Sequence, residues 1–178
     1  PQTPYPPYPY DTLEYVVHNK IDNINLAGTI TIPKDIKSVI VMATGSGSQN
    51  RDEELMGHKP FAVIADYLTR AGIAVLRYDD RGVGGSSQGK TTDTTLDFAS
   101  DAMAAVNFLK SQPDINPAAV GILGHSEGGS IALIAAASMP DDIAFAISLA
   151  GVAVKGRDAM IEQNHMIARA SGRELPAD

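Results

Sequence analysis

The stretch AVGILGHSEGGSIALIAAA, residues 119–137, joins two apolar runs through the pentapeptide GHSEG. The first run, 119–123, has the composition of a buried strand, and the second, 130–137, is typical of a buried helix. The residues between them, Gly124–Gly128, match the pattern G-x-S-x-G. A serine on so tight a strand-to-helix turn adopts a strained backbone that lifts its hydroxyl above the sheet, near the helix N-terminus. The stretch therefore predicts a nucleophile elbow with Ser126 as the nucleophile.

The neighbours of the serine fit this interpretation. Gly124 and Gly128 carry no Cβ, so other backbone segments can pass close to the turn. His125 is a tempting general base, but adjacent residues on such a turn diverge. We therefore expect His125 to line the strand end and not to serve as the base.

Outside this stretch, apolar runs alternate with helical patterns. Near-continuous apolar runs are typical of parallel strands that are buried on both faces. A helical face is predicted between Phe61 and Gly72, and another starts at a capping-box pattern, Thr94 to Asp97, and ends before Pro113. The alternation predicts an α/β fold with a doubly wound, mostly parallel sheet. The further apolar runs are residues 39–43, 73–78 and 143–149.

The N-terminal part has a different pattern. Residues 13–17 and 24–32 alternate apolar and polar side chains, which predicts an antiparallel hairpin at one edge of the sheet. Residues 1–10 contain five prolines and are interpreted as a stiff linker. We assign residues 11–155 to the core domain and 156–178 to the start of a cap or lid helix.

The beginning of the chain also bears on localisation. A chain that starts without methionine and with so many prolines suggests that a signal peptide or a preceding domain was removed. The expected location is therefore the periplasm or the extracellular space, with the cytoplasm as the alternative.

Composition narrows the possible partners. A net charge of −7 disfavours nucleic acids and anionic membranes, because both would repel the surface. The absence of cysteine excludes disulfides and thiolate metal sites. No apolar run reaches the roughly 18 residues of a membrane span. His58 and His165 lack metal-site spacing, so neither a metal nor a cofactor is expected.

A glycine-rich turn follows the apolar run that ends at Ala43. The sequence of residues 44–48, Thr-Gly-Ser-Gly-Ser, should expose backbone N–H groups at the carboxyl edge of the sheet. Acyl transfer needs such donors, because its tetrahedral intermediate carries negative charge on one oxygen. The acidic run 51–54 that comes next is interpreted as a solvated helix start, and a place at the rim of a substrate mouth is the alternative.

A rival motif lies at residues 84–91, GGSSQGKT, which match the phosphate-binding pattern G-x-x-x-x-G-K-[ST]. In a true P-loop the strand leads directly into the helix, so that loop amides and the helix N-terminus converge on phosphate. Here residues 79–83 follow the strand, and the next helix is predicted only near Thr94. Nucleotide binding is therefore the weaker alternative, and a surface turn is expected.

Taken together, three motifs resemble the α/β-hydrolase superfamily, and most closely bacterial esterases of the dienelactone-hydrolase and acyl-peptidase type. Residues 44–47 stand where the family often has H-G-x-G, residues 77–84 (RYDDRGVG) contain its D-x-R-G-x-G turn, and the third motif is the elbow at Ser126. The resemblance implies an oxyanion hole formed by the N–H groups of Ser46 and Glu127, with Gly45 and Gly47 as motif glycines.

The resemblance also implies residues that this sequence lacks. In the family, an acid and then a histidine follow the serine on later strands, whereas this chain stops soon after residues 145–154. We therefore expect that the C-terminal strands and the triad Asp and His are missing, and that the isolated chain is inactive. The run 145–154 has no charge or proline to guard a sheet edge, so a complementing C-terminal segment or a homo-oligomer is expected to cover it.

Two classes of function remain open. The favoured one is a serine hydrolase that cleaves esters or thioesters of small acyl groups through an acyl-enzyme on Ser126. The other is a non-catalytic binding or interaction module that retained the fold and lost the chemistry.

Overall fold

The computed structural model describes residues 2–113 and 119–173. In these residues it contains six strands and four helices. The strands are β1 (Asp11–Asn19), β2 (Ile24–Ile32), β3 (Ser38–Ala43), β4 (Ile73–Tyr78), β5 (Val120–His125) and β6 (Phe145–Leu149), and the helices are α1 (Pro60–Arg70), α2 (Thr95–Lys110), α3 (Glu127–Ser138) and α4 (Gly156–Ala170).

The strands form one sheet in the order β1-β2-β4-β3-β5-β6. The predicted hairpin is present: β1 pairs antiparallel with β2, from Asp11 opposite Ile32 to Asn19 opposite Ile24. Strand β2 is also antiparallel to β4, whereas β3, β4, β5 and β6 are mutually parallel. The predicted α/β fold with a mostly parallel, doubly wound sheet is therefore confirmed.

Strand β3 is buried on both faces, which explains its uninterrupted apolar sequence. Successive side chains of a strand point to opposite faces. Val39 and Val41 belong to the larger core cluster, which includes residues of α2 and α3. Ile40 and Met42 belong to a second cluster, which includes Phe61 of α1. Helices cover both faces of the strand, so every position must be apolar.

The helix boundaries follow local signals. The predicted capping box is present at the start of α2, where the Asp97 carboxylate accepts a 2.7 Å hydrogen bond from the Thr94 N–H. Helix α1 begins at Pro60. Helix α3 begins at Glu127, directly after Ser126, and one of its faces is open, since Leu133 is 47% exposed. The expectation that this helix is buried was therefore wrong for its outer face.

The two ends of the described chain differ in their packing. Near the N-terminus, Tyr8 and Tyr10 stack, and the Tyr10 hydroxyl donates a 2.7 Å hydrogen bond to Asp66 of α1. Near the C-terminus, β6 pairs with β5, and no other described strand lies on its far side. Helix α4 buries only Ala168, while Met160 stays exposed. Residues 174–178 of the predicted cap segment lie outside the described part.

Candidate active site

Ser126 lies at the junction of β5 and α3, as the sequence predicts. Its φ of 54° and ψ of −118° place a non-glycine residue in a strained region of backbone space. The strain is held by hydrogen bonds on both sides: the Ser126 N–H donates to the Leu149 carbonyl at 2.9 Å, and the Ser126 carbonyl accepts from the Gly129 N–H at 2.9 Å. The serine therefore has the backbone geometry of a nucleophile elbow.

The motif glycines of the elbow are required by close packing. A Cβ on Gly124 would overlap the carbonyl group of Gly128, and a Cβ on Gly128 would overlap the carbonyl oxygen of Ala43. The first turn of α3 consequently lies directly against the end of β3. This contact brings the elbow next to the glycine-rich turn that follows β3.

The glycine-rich turn does meet the serine. A Cβ built on Gly45 would lie 3.3 Å from the Ser126 Cβ, so the turn runs directly beside the side chain of Ser126. Gly45, Gly47 and Glu127 line one narrow cavity beneath the turn. Ser46 is exposed at its outer side. The structure thus brings together the segments that carry both predicted oxyanion donors.

The side chain of Glu127 is held at the start of α2. Its carboxylate accepts a 2.6 Å hydrogen bond from the Thr95 hydroxyl at the start of α2. The backbone N–H of Glu127, in the first turn of α3, belongs to the N–H groups that a helix leaves unpaired at its start. A helix N-terminus attracts negative charge for the same reason.

Two aspartates that follow β4 hold the glycine-rich turn and the residues after it. The Asp80 carboxylate accepts hydrogen bonds from the Thr44 hydroxyl at 2.7 Å and from the Gln49 N–H at 2.9 Å. The Asp79 carboxylate accepts from the Arg51 N–H at 2.9 Å and from the Arg51 guanidinium at 2.8 Å and 3.0 Å. Both aspartates are more than nine-tenths buried.

The surroundings shift the pKa values of these two carboxyl groups in opposite directions. Burial raises the pKa of Asp80 to about 6, although the hydrogen bonds from Thr44 and Gln49 act against the shift. Burial also acts to raise the pKa of Asp79, but its hydrogen bonds with Arg51 outweigh burial and hold that pKa below its usual value. Asp79 is therefore a firm anion, whereas Asp80 titrates in mildly acidic solution.

Residues 51–54 correct an expectation. The charge pattern predicts a solvated helix start, but the run forms a turn and irregular backbone in which Glu53 is buried, Arg51 and Asp52 are partly buried and only Glu54 is exposed. Arg51 pairs with Asp79, and Asp52 pairs with the buried Arg77 of β4. The physical reason is that the buried charges at the end of β4 need partners of opposite sign, and this run supplies them. In the sequence, the charged residues that directly follow the apolar run 73–78 indicate that such partners are needed.

Glu53 belongs to the run 51–54, and the alternative of a place at the rim of a substrate mouth does not predict its contacts with Gly45 and His125. It is only 9% exposed, and one carboxylate oxygen, Oε1, accepts the Gly45 N–H at 2.6 Å and contacts His125 Nδ1 at 2.9 Å. Its φ of 50° is unusual for a residue with a side chain. His125 lies at the end of β5, as predicted, and hydrogen-bonds Glu53 there.

Arg81, in the D-x-R-G turn, is buried in a network of ion pairs. Its side chain is 2% exposed and contacts the carboxylates of Asp101, Asp93 and Asp22, with Nε 2.5 Å from Asp101. The network joins the turn after β4 to α2. Arg81 therefore fixes the frame around the site, whereas Asp80 of the same motif lines the cavity beneath the glycine-rich turn.

The nucleotide-binding alternative has little geometric support. Residues 79–94 separate the end of β4 from α2, and the start of α2 is already capped by Thr94 and Asp97. The amides of residues 84–91 and a free helix N-terminus therefore do not converge as in a P-loop.

Among the described residues, no cluster of histidine and acidic side chains fits a metal ion, and no helix is long and apolar enough to cross a membrane.

Comparison with known sequences gives a family match. The family model described as serine aminopeptidase, S33, matches residues 58–176. The esterase EstD of Thermotoga maritima is 36% identical over 108 residues, which cover 60% of this chain and 26% of the esterase. The chain thus matches only about a quarter of that curated relative.

Solved structures agree on the fold. The Pyrococcus furiosus esterase Pf2001 superposes with a TM-score of 0.70 at 20% identity, over 94% of this chain and 60% of the esterase. The dienelactone hydrolase of Anabaena variabilis superposes with a TM-score of 0.64 at 24% identity, over 81% of this chain and 65% of the hydrolase. With the elbow, the sheet order and the family match in agreement, the chain belongs to the serine aminopeptidase (S33) family of α/β-hydrolases.

Proposed function

We propose that this chain provides the nucleophile and the oxyanion donors of a serine hydrolase that cleaves esters or thioesters of small acyl groups. The observation that carries the proposal is the strained backbone of Ser126 at the strand-to-helix junction. In this proposal the Ser126 hydroxyl attacks the acyl carbonyl, and the N–H groups of Ser46 and Glu127 stabilise the oxyanion. The similarity to an esterase supports ester substrates.

The general base and its acid are assigned to another part of the protein. Among residues 2–113 and 119–173, no histidine hydrogen-bonds the Ser126 hydroxyl, and His125 is engaged by Glu53. A serine without a base is a weak nucleophile. In the proposal, the histidine and acid come from the portion that corresponds to the remaining length of the relatives, and residues 1–178 alone are close to inert.

The same reasoning applies to the edge of β6. Ile147 is 37% exposed, and Val152 and Val154 just beyond the strand are 40% and 59% exposed. We propose that a complementing segment of the same protein covers this edge, with a second copy of the chain as the alternative. Secretion to the periplasm or beyond also stays a prediction.

The experiment is labelling of the full-length protein with a fluorophosphonate probe. We expect labelling of the unmodified protein, no labelling of Ser126→Ala, and normal labelling of Ser130→Ala, which removes a neighbouring hydroxyl from α3. Failure of the unmodified protein to react, in a form that is folded by circular dichroism, would favour the non-catalytic binding module instead.

Substrate class is tested in parallel. We expect turnover of p-nitrophenyl acetate and butyrate by the full-length protein and little turnover of an aminoacyl p-nitroanilide. Faster cleavage of the anilide would assign the protein to the peptidases of its family and contradict the proposed ester preference.

A further inference from the structure

We propose that Glu53 is a positioning residue for the reaction at Ser126: one carboxylate oxygen sets both the glycine-rich turn that carries the Ser46 amide and the imidazole of His125. The inference rests on the proposed function and extends it, because it assigns a role to a buried acid outside the nucleophile and the oxyanion donors.

The geometry of Glu53 places it under the site. Its Oε1 atom accepts the Gly45 N–H at 2.6 Å and contacts His125 Nδ1 at 2.9 Å. These two groups come from different strand ends, since Gly45 follows β3 and His125 ends β5. Hydrogen bonds to a carboxylate are stronger than neutral ones, and burial reduces the competition from water. Glu53 therefore ties together the two strand ends that flank Ser126.

The bond to Gly45 determines which amide of the turn is free. Gly45 gives its N–H to Glu53, whereas among the described residues no acceptor takes the N–H of Ser46. Gly45 also lies against the side chain of Ser126, since a Cβ built on Gly45 would be 3.3 Å from the Ser126 Cβ. Glu53 in this way leaves the Ser46 amide available to an oxyanion while keeping the turn in place.

The contact with His125 holds the imidazole at one ring nitrogen. Nδ1 of His125 lies 2.9 Å from Oε1 of Glu53, and the tautomer of the imidazole decides which nitrogen carries the proton. The side chain of His125 is 46% exposed. Its Nδ1 has Glu53 as partner and not the Ser126 hydroxyl, which agrees with the expectation that His125 is not the base.

The turn around Glu53 is built to hold it. The Glu53 N–H donates to the Asn50 carbonyl at 2.8 Å, and the Asn50 side chain accepts the N–H groups of Asp52 and Glu54 at 3.0 Å and 3.2 Å. A left-handed φ at a residue with a side chain persists only where its surroundings impose it. Here that backbone conformation directs the carboxylate inward, whereas the neighbouring Glu54 is exposed.

The test compares kcat and KM of the full-length protein with those of Glu53→Ala, Glu53→Gln and the control Glu54→Gln, normalised to active sites that react with a fluorophosphonate. Displacement of an oxyanion donor weakens binding of the transition state and leaves ground-state binding almost unchanged. We expect Glu53→Ala to lose on the order of 100-fold in kcat with KM within about threefold. Glu53→Gln should recover most of this loss and stay roughly 3- to 10-fold below wild type, because a neutral oxygen accepts more weakly.

A double-mutant cycle with His125→Ala adds a measurement that a general loss of stability would not produce. If Glu53 acts partly through the imidazole, the two losses in kcat will be less than multiplicative. The Glu54→Gln variant should behave as wild type.

The outcomes separate the two proposals. Wild-type kcat per reactive site in Glu53→Ala overturns this inference and leaves the proposed function intact. If the alanine variant does not fold, wild-type kcat in Glu53→Gln overturns it equally. A full-length protein whose turnover does not change in Ser126→Ala overturns the proposed function, and this inference with it.

Discussion

The hydroxyl of Thr44 donates a 2.7 Å hydrogen bond to the buried carboxylate of Asp80. This bond joins the end of β3 to the turn after β4, two neighbouring parallel strands. The same carboxylate accepts the Gln49 N–H, so both ends of the glycine-rich turn are tied to one acid. The turn beside Ser126 is thus held from the neighbouring strand, and its position depends on groups that do not touch the serine.

Removal of the Thr44 hydroxyl should destabilise the protein. In Thr44→Val the Asp80 carboxylate loses a buried donor, and we expect a decrease of about 1–3 kcal/mol in the free energy of unfolding. Thr44→Ser keeps the hydroxyl and is the matched control, with a smaller loss from the missing methyl group. Urea titrations of the three proteins at pH 7 measure the difference. Equal losses in the two variants would show that the hydrogen bond does not contribute.

The raised pKa of Asp80 predicts a pH dependence of stability. The pKa of Asp80 is about 6 in the folded protein, compared with its ordinary value of 3.8, so the folded protein binds this proton more tightly than the unfolded chain. The free energy of unfolding therefore decreases as the pH rises from about 4 to about 6. Above pH 6 the carboxylate is ionised in both states, and the full destabilisation by the buried anion is present. In Asp80→Asn that contribution is absent.

The measurement is the difference in unfolding free energy between wild type and Asp80→Asn from pH 4 to pH 7. We expect wild type to lose up to about 3 kcal/mol relative to the variant across this range. A constant difference would show that Asp80 does not titrate there. Subtraction removes the contributions of other carboxyl groups, including Asp101, whose pKa burial also raises.

The Arg81 network should be sensitive to loss of one charge. Asp101 is 1% exposed and accepts from Arg81 and from Asn19, so Asp101→Asn leaves a buried guanidinium with less compensation. We expect a destabilisation of about 3 kcal/mol. Asp141→Asn is the control, because that carboxylate is exposed and forms no salt bridge among the described residues. A loss no larger than that of the control would contradict the structural role of the network.

The close packing of the elbow predicts a contrast between two glycines. Gly128→Ala places a methyl group against the Ala43 carbonyl, so we expect a strongly destabilised or unfolded protein. Gly156→Ala, at the start of α4, meets no atom within 4 Å and should be neutral or slightly stabilising. Thermal unfolding monitored by circular dichroism distinguishes the two. A Gly128→Ala protein with wild-type stability would refute the described contact between α3 and β3.

The sequence predicts those features that are encoded locally. The period of apolar residues identifies the strands, the Thr94–Asp97 pattern identifies the start of α2, and the elbow follows from five consecutive residues and their context. These features depend on neighbours in the chain, so a single sequence contains them. The order of the strands agrees with the alternation of strand and helix.

Glu53 could not be identified in this way. Its partners Gly45 and His125 lie 8 and 72 positions away in the sequence. Its inward direction depends on a left-handed φ, which glycine or asparagine would indicate at this position but glutamate does not. The pairing of Arg51 with Asp79 could be predicted from the sequence, because charged residues directly after a buried strand need partners of opposite sign. That requirement predicts ion pairs for residues 51–54 and not a solvated helix start.

The central claim is that Ser126 is an acyl-transfer nucleophile. Its most direct test is the intact mass of the full-length protein after rapid quenching with p-nitrophenyl acetate, followed by peptide mapping. We predict one added acetyl group on the peptide that contains Ser126, and no addition in Ser126→Ala. Turnover of the ester without any adduct on this peptide, or with the same adduct in Ser126→Ala, would contradict the claim.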